Sequence, residues 1–318
     1  MKAPNFWKND NFISFILTPL TIFYNIGRHL HVLFSIQYKS KLKIICVGNV
    51  NVGGSGKTPV ALKIGKTLKE KKVKFAYLSK GYKGSIKDLT KVSNLHDASE
   101  VGDEPLLLAE IADTYICQNR KKAIRQLEKD FNYDVIVMDD GMQNPTIFKN
   151  KNIVVVDGNY AFGNERLMPA GPLRETIGSM LKRVSFFIII GQDSAGICDR
   201  LYNKNLNVVR GVNKVKNEHN LETKYMAFSG IGIPSKFLST LRENRYKIEN
   251  FFWYDDHYFY TENDLKKLEL DATDGNCKLI TTKKDWIKLS AAYKEKIEYL
   301  DVEIEFYDNE KFVDLLMK

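Results

Sequence analysis

Gly56-Lys57-Thr58, closing the glycine-rich stretch Asn51-Val52-Gly53-Gly54-Ser55, has the residue types that hold the phosphates of a nucleoside triphosphate. Small residues free the backbone N–H groups to surround phosphate oxygens, and a following helix adds partial positive charge at its N-terminus. In this arrangement Lys57 meets the β- and γ-phosphates and Thr58 meets Mg²⁺. Where the usual pattern opens with glycine this chain has Asn51, which tolerates a left-handed backbone better than most residues. ATPases that are activated by partners and recruit proteins to membranes carry a lysine near the start of the loop. Val52 stands there, which counts against that class.

Two acidic pairs could complete the chemistry. Asp139 and Asp140 end the apolar run Val135-Ile136-Val137-Met138, where a carboxylate reaches a cation beside the loop; a plain Asp-Gly turn is the alternative. Asp103 and Glu104 precede Pro105 at a helix start, where either could cap the helix. As catalysts, one of this pair would bind metal and the other accept a proton from an attacking hydroxyl.

The elements needed to position these groups are legible. The apolar strand Lys43 to Gly48 leads into the loop, and apolar residues at helical spacing follow from Val60 to Lys71. Short β-rich runs at Val73 to Leu78, Thr114 to Cys117, Val135 to Met138, Ile153 to Val156 and Phe186 to Ile190 are of the kind buried in parallel sheets. Helical segments at Pro105 to Ala112 and Lys121 to Asp130 lie between them. The reading is an α/β fold of the phosphate-loop NTPase type, with an open, mostly parallel sheet and flanking helices over residues 41–215. From residue 216 a smaller α/β domain (216–318) is expected. It has strands at Tyr225 to Phe228, Lys247 to Trp253 and Leu279 to Thr282, and helices from Ser235 to Glu243 and opening at Thr261. Its last segment, Val302 to Lys318, supplies a strand and a helix able to pack on either domain.

The N-terminal 40 residues are different in kind. Phe12 to Tyr38 is apolar and aromatic but interrupted by Pro19, Asn25, Arg28, His29 and His31, too broken for the roughly 20 apolar residues of a spanning helix. No small-residue cleavage site of a signal peptide follows. Two readings stay open: a helix in the membrane interface with Lys39, Lys41 and Lys43 near anionic headgroups, or a helix buried on the domain. The net charge of +9 over 318 residues favours anionic partners without choosing among them. Cys46, Cys117, Cys198 and Cys277 are too scattered for a structural zinc site and suit a reducing cytoplasm.

GNVNVGGSGKTP, LSKGY (78–82), GDEP (102–105), DDGMQ (139–143), LMPAGPLRE (167–175), FSGIGIP (228–234), DDHYFYT (255–261) and TTKKDWIKL (281–289), in this order, resemble the tetraacyldisaccharide 4′-kinases of lipid A biosynthesis. The resemblance implies transfer of the γ-phosphate of ATP to the 4′-hydroxyl of a tetraacylated glucosamine disaccharide 1-phosphate, giving lipid IVA. It implies Thr58, Glu104, Asp139 and Asp140 around Mg²⁺ with Gln143 nearby, Asp103 as base assisted by His257, and Arg174 and Arg120 on phosphate charge. It further implies a peripheral or monotopic protein at the cytoplasmic face of the inner membrane, with no nucleic acid and no obligate protein partner. Lys80 departs from the arginine of the family pattern and lacks its bidentate fork, so no role is carried over to it.

Two other classes compete. A phosphate-loop GTPase or ATPase switch, or a metal-insertion chaperone, needs a base-reading element, which Thr282-Lys283-Lys284-Asp285 superficially matches. A non-catalytic nucleotide sensor at the membrane would not need both acidic pairs.

Overall fold

The structure is a computed structural model that describes residues 4–318. Its larger sheet contains β1 (Lys43–Gly48), β2 (Phe75–Ser79), β3 (Thr90–Lys91), β4 (Thr114–Ile116), β5 (Val135–Asp139), β6 (Lys151–Asp157), β7 (Phe186–Ile190) and β8 (Val208–Val215). A second sheet contains β9 (Lys224–Ser229), β10 (Lys247–Trp253), β11 (Lys278–Thr282) and β12 (Glu298–Leu300), and β13 (Val302–Phe306) returns to the first. The order in the larger sheet is β13-β8-β7-β6-β1-β5-β2-β4-β3. Only the β13–β8 and β3–β4 pairs at its two edges are antiparallel.

Alternation along each strand explains the layering. Ile44, Cys46, Ile136, Met138, Val154 and Val156 point into one core and Ile45, Val47, Val135, Val137, Ile153 and Val155 into the other. With both faces buried, the strands read as continuous apolar runs rather than alternating ones. The helix Lys57–Glu70 covers the second face through Val60, Ala61, Ile64 and Leu68, and Arg120–Asp130 covers the first through Ala123, Ile124 and Leu127. Because β1 lies between β5 and β6, the loop after β1 and the aspartates at the end of β5 meet at the carboxyl edge of the sheet, where open α/β sheets bind ligands.

The smaller sheet, order β10-β9-β11-β12, is parallel throughout. Residues 302–317 do not complete it, which corrects the 216–318 boundary. Ile304 and Phe306 pair β13 with β8, and Phe312 and Leu316 of the helix Asn309–Met317 fill the core beside Ile64 and Leu68. An apolar stripe of this size is satisfied there because β8 offers the larger sheet's free edge.

The N-terminal segment forms two helices, Phe12–Leu17 and Leu20–Leu33, with Pro19 at their junction. The buried-helix reading fails: Phe12, Phe15, Phe23 and Leu33 are 70–77% exposed, and Ser14 is the only buried residue of the two helices. No helix among the described residues is long and apolar enough to cross a membrane.

Candidate functional site

The phosphate loop is anchored at its root and open at its tip. Asn51 Nδ2 donates to the Ala161 carbonyl at 2.7 Å, and the Val52 N–H donates to the Pro172 carbonyl at 2.8 Å. Both residues therefore hold the loop in place, and the N–H of Val52 is committed to protein. Gly53 to Thr58 remain to face phosphate. Gly56 caps the following helix at φ 85°, a left-handed conformation costly for any residue with a Cβ. Lys57 Nζ lies 3.4 Å from Asn49 Oδ1 and 3.8 Å from Asp140 Oδ1, and the Thr58 hydroxyl donates to Asp139 Oδ2 at 3.4 Å.

Asp139 and Asp140 part company at the end of β5. Asp140 adopts φ 50° and faces the Arg174 guanidinium at 3.2 Å. Burial pushes its carboxyl up, but Lys57 and Arg174 outweigh that and hold it below the usual carboxylate range. Asp139 is buried, its Oδ1 has no hydrogen-bond partner, and burial together with Glu104 pushes it up to about 7. A buried carboxylate oxygen facing other carboxylates needs a cation. Arg120 supplies only part of that charge, since its Nη2 donates to the Asp139 carbonyl at 2.9 Å and its side chain is buried beneath the strand end. Gln143 lies back from the loop, donating to the Asn49 carbonyl at 2.8 Å and to Glu175 at 3.3 Å.

The second acidic pair meets the smaller domain. Gly102, at φ 91°, turns the chain into the helix Asp103–Ala109, and a Cβ there would lie 2.8 Å from the Tyr82 carbonyl. Asp103 is buried, and His257 Nδ1 lies 2.8 Å from its Oδ2, so the structure brings together two residues 154 positions apart. His257 holds φ 57° and packs edge-on against Tyr82 at 5.2 Å between centroids. An ionised carboxylate only accepts, so Nδ1 carries the proton toward Asp103, while Nε2 lies 3.4 Å from Lys284 Nζ and 3.7 Å from Asp256 Oδ1.

Lys284 is a site residue that sequence reasoning missed. Its ammonium lies 3.3 Å from Glu104 and 3.8 Å from Asp103. Burial raises the Asp103 pKa, but Lys284 first and His257 second pull it down to about 2. The TTKKDW run was the available signal, but charge in a helix start says nothing of what lies across a cleft. The smaller domain also approaches the loop at Gly232, where a Cβ would sit 3.3 Å from Asp256 Oδ2 and 3.8 Å from the Gly54 nitrogen.

Asp285, which a base-reading element would turn toward a guanine, is buried and fully engaged. It accepts from the Gly230 N–H at 3.0 Å, the Thr282 hydroxyl at 2.7 Å and Lys288 at 2.6 Å. Asp285 is therefore a structural corner, while Lys284 of the same run faces the site.

Comparison with known proteins decides among the remaining classes. The family model of tetraacyldisaccharide-1-P 4′-kinase matches residues 13–318. Curated tetraacyldisaccharide 4′-kinases of Rickettsia typhi and Paramagnetospirillum magneticum are each 36% identical, covering 95% and 96% of this chain and 93% and 95% of their own length. The chain belongs to the tetraacyldisaccharide 4′-kinase family. It is accordingly a phosphotransferase of lipid A biosynthesis acting on a lipid disaccharide 1-phosphate, and the switch reading is set aside. The fold of the tetraacyldisaccharide 4′-kinases is also the fold seen here. A solved structure of LpxK from Aquifex aeolicus, described as an apo form in complex with ATP, superposes with a TM-score of 0.75 at 24% identity, covering 96% of this chain and 98% of that one.

Proposed function

We propose that the chain transfers the γ-phosphoryl group of ATP to the 4′-hydroxyl of a tetraacyldisaccharide 1-phosphate, in the cleft between the phosphate loop and the smaller domain. The observation that carries this reading is the buried Asp103–His257 pair, contributed one residue by each domain, linked through Lys284 to Glu104. Asp103 accepts the hydroxyl proton, and His257 orients its carboxylate. Lys57 and Arg174 meet the charge that spreads over the phosphoryl oxygens. Incubation with ATP, Mg²⁺ and tetraacyldisaccharide 1-phosphate in detergent should yield a product heavier by one phosphate. Rapid nucleotide hydrolysis without lipid and no such product would overturn the reading.

The donor set fits Mg²⁺. Thr58, Asp139, Asp140 and Glu104 are hard oxygen ligands, and Asp139 Oδ1 is buried without a partner. Among the described residues no three such groups form a ready metal cage, as suits an ion that takes most of its ligands from water and substrate phosphates. The ion supplies charge neutralisation of the phosphates when bound. Asp139→Ala and Glu104→Ala should each shift the Mg²⁺ concentration for half-maximal activity upward. The raised Asp139 pKa also sets a pH dependence. A folded-state carboxyl held above its unfolded value, near 4, binds the proton more tightly when folded, so the metal-free protein loses stability as pH rises from about 4 toward 7. Mg²⁺ competes with that proton. It should therefore raise Tm more at pH 8 than at pH 6, and an equal shift at both values would remove Asp139 from the ligand set.

At the N-terminus, the exposed apolar faces of the two helices rest in the interface of the cytoplasmic leaflet, with the protein peripheral or monotopic. Each large apolar side chain withdrawn from water contributes about 1.5–3 kcal/mol, so a handful suffices to hold the protein at a bilayer. Replacing Phe15 and Phe23 with serine should release the protein from sedimenting anionic vesicles while leaving ATP affinity intact. Unchanged sedimentation would disprove interfacial docking through this face.

A further inference from the structure

The segment that carries Arg174 lies between the phosphate loop and the N-terminal helices, and it is fastened on both sides. On the loop side, Pro172 accepts from the Val52 N–H and the Arg174 N–H donates to the Val50 carbonyl at 2.7 Å. On the helix side the fastenings are side chains. Trp7 Nε1 donates to the Pro169 carbonyl at 3.0 Å, and Arg166 donates to Asp10 at 2.7 Å and to Thr18 at 2.8 Å.

Nearest the site are Tyr24 and Arg28, four residues apart and so on one face of the helix Leu20–Leu33. The Tyr24 hydroxyl donates to the Arg174 carbonyl at 3.0 Å. Arg28 donates to Ser179 Oγ at 3.4 Å and stands 4.0 Å from Glu175. Glu175 is fully buried, and its carboxylate also takes Arg183 and Gln143. Through Gln143 and Asn49 the chain of hydrogen bonds runs on to Lys57.

We propose that Tyr24 and Arg28 are positioning residues of the phosphoryl-transfer site, fixing the backbone at 174 and 175 so that the Arg174 guanidinium stays beside Asp140 and the phosphate loop. The inference rests on the reading of Arg174 as a phosphate-contacting group. Charge neutralisation alone does not require Arg28, because Glu175 keeps Arg183 and Gln143 without it; what Arg28 adds is a link between the helix and the residue after Arg174. Nor does Arg28 belong to the lipid-facing side, since its side chain is only 17% exposed while Phe23 and Leu33 of the same helix are above 70%. One helix thus turns its apolar face outward and its polar face onto the catalytic strap. Contact with the acceptor's lipid surface and placement of Arg174 are then functions of a single element.

The test compares Tyr24→Phe, Arg28→Ala, Arg28→Lys, Arg174→Ala and the double variant Arg28→Ala/Arg174→Ala, in mixed micelles at saturating ATP and lipid acceptor. Misplacing a reacting group by about 1 Å can cost up to ~10²-fold, so Arg28→Ala should lower kcat roughly tenfold. Vesicle sedimentation and the KM for lipid should stay near wild type, with part of the loss restored by lysine. The double variant should be no slower than Arg174→Ala, because a residue acting through another adds nothing once that other is gone. Unchanged kcat in both Tyr24→Phe and Arg28→Ala, a loss confined to lipid KM, or multiplicative losses in the double variant would each overturn the proposal. Full activity of Arg174→Ala would instead sink the assignment of Arg174 itself, which separates the two failures.

Discussion

Asp103→Asn should lower kcat by roughly 10²–10⁴-fold, the scale of losing a general base, with ATP affinity little changed. The asparagine keeps the shape and can still accept from the Glu104 N–H, a bond of 2.9 Å in the native protein, but it takes no proton from a sugar hydroxyl. His257→Ala should cost less, since the imidazole orients the carboxylate through Nδ1 and is not itself the acceptor of the proton. The double variant should be no worse than Asp103→Asn, whereas multiplicative losses would place His257 on nucleotide or substrate. The substitution also carries a stability signature. A carboxyl held at about 2 when folded contributes stability that is present above its unfolded value, near 4, and is lost as pH falls toward 2. Acid titrations of Tm should therefore lack part of that slope in the asparagine variant. Equal slopes would mean that Asp103 is not held ionised by Lys284 and His257.

The sequence shows the parts of this site that are local and hides those made by tertiary approach. The loop from Gly53 to Thr58 and the carboxylates at 103–104 and 139–140 each lie at the end of a strand or the start of a helix, so spacing and context reveal them. β10 was legible as Lys247–Trp253 because its apolar and aromatic residues are bounded by turns. β8 was not: Arg210 interrupts its apolar start, and Asn213 and Lys214 lie in its far end, which pairs with β13 near solvent. The return of residues 302–317 to the larger sheet depends on which edge is free, a property of the assembled fold. Lys284, Asn49 and Glu175 were missed for the same reason, because each has meaning only through a partner supplied by another element. The exposure of Phe12, Phe15, Phe23 and Leu33 likewise shows that these side chains are not packed on the domain, which composition alone left open.

Lys57→Ala should reduce kcat by about 10²–10³-fold or more, as loss of one preorganised charge-stabilising donor does, and the structure says why no neighbour replaces it. Its ammonium rests between Asn49 Oδ1 and Asp140 Oδ1, at 3.4 and 3.8 Å, with its side chain 13% exposed. It is held at the mouth of the loop by weak, long contacts that a phosphate oxygen can outbid. Arg174 shares Asp140, but its backbone is tied to Val50 and Tyr24 and its guanidinium is paired with Asp140 at 3.2 Å. Lys57→Arg should recover little, because a planar fork does not reproduce a compact point charge inside a loop of small residues. ATP affinity should fall much less than kcat, since backbone N–H groups from Gly53 to Thr58 still receive the ground-state phosphates. The split matters, because only an interaction stronger in the transition state than in the bound complex accelerates transfer. If Lys57→Ala instead weakens ATP binding with kcat unchanged at saturation, Lys57 merely holds the nucleotide. The developing charge would then fall to Arg174 and the bound cation.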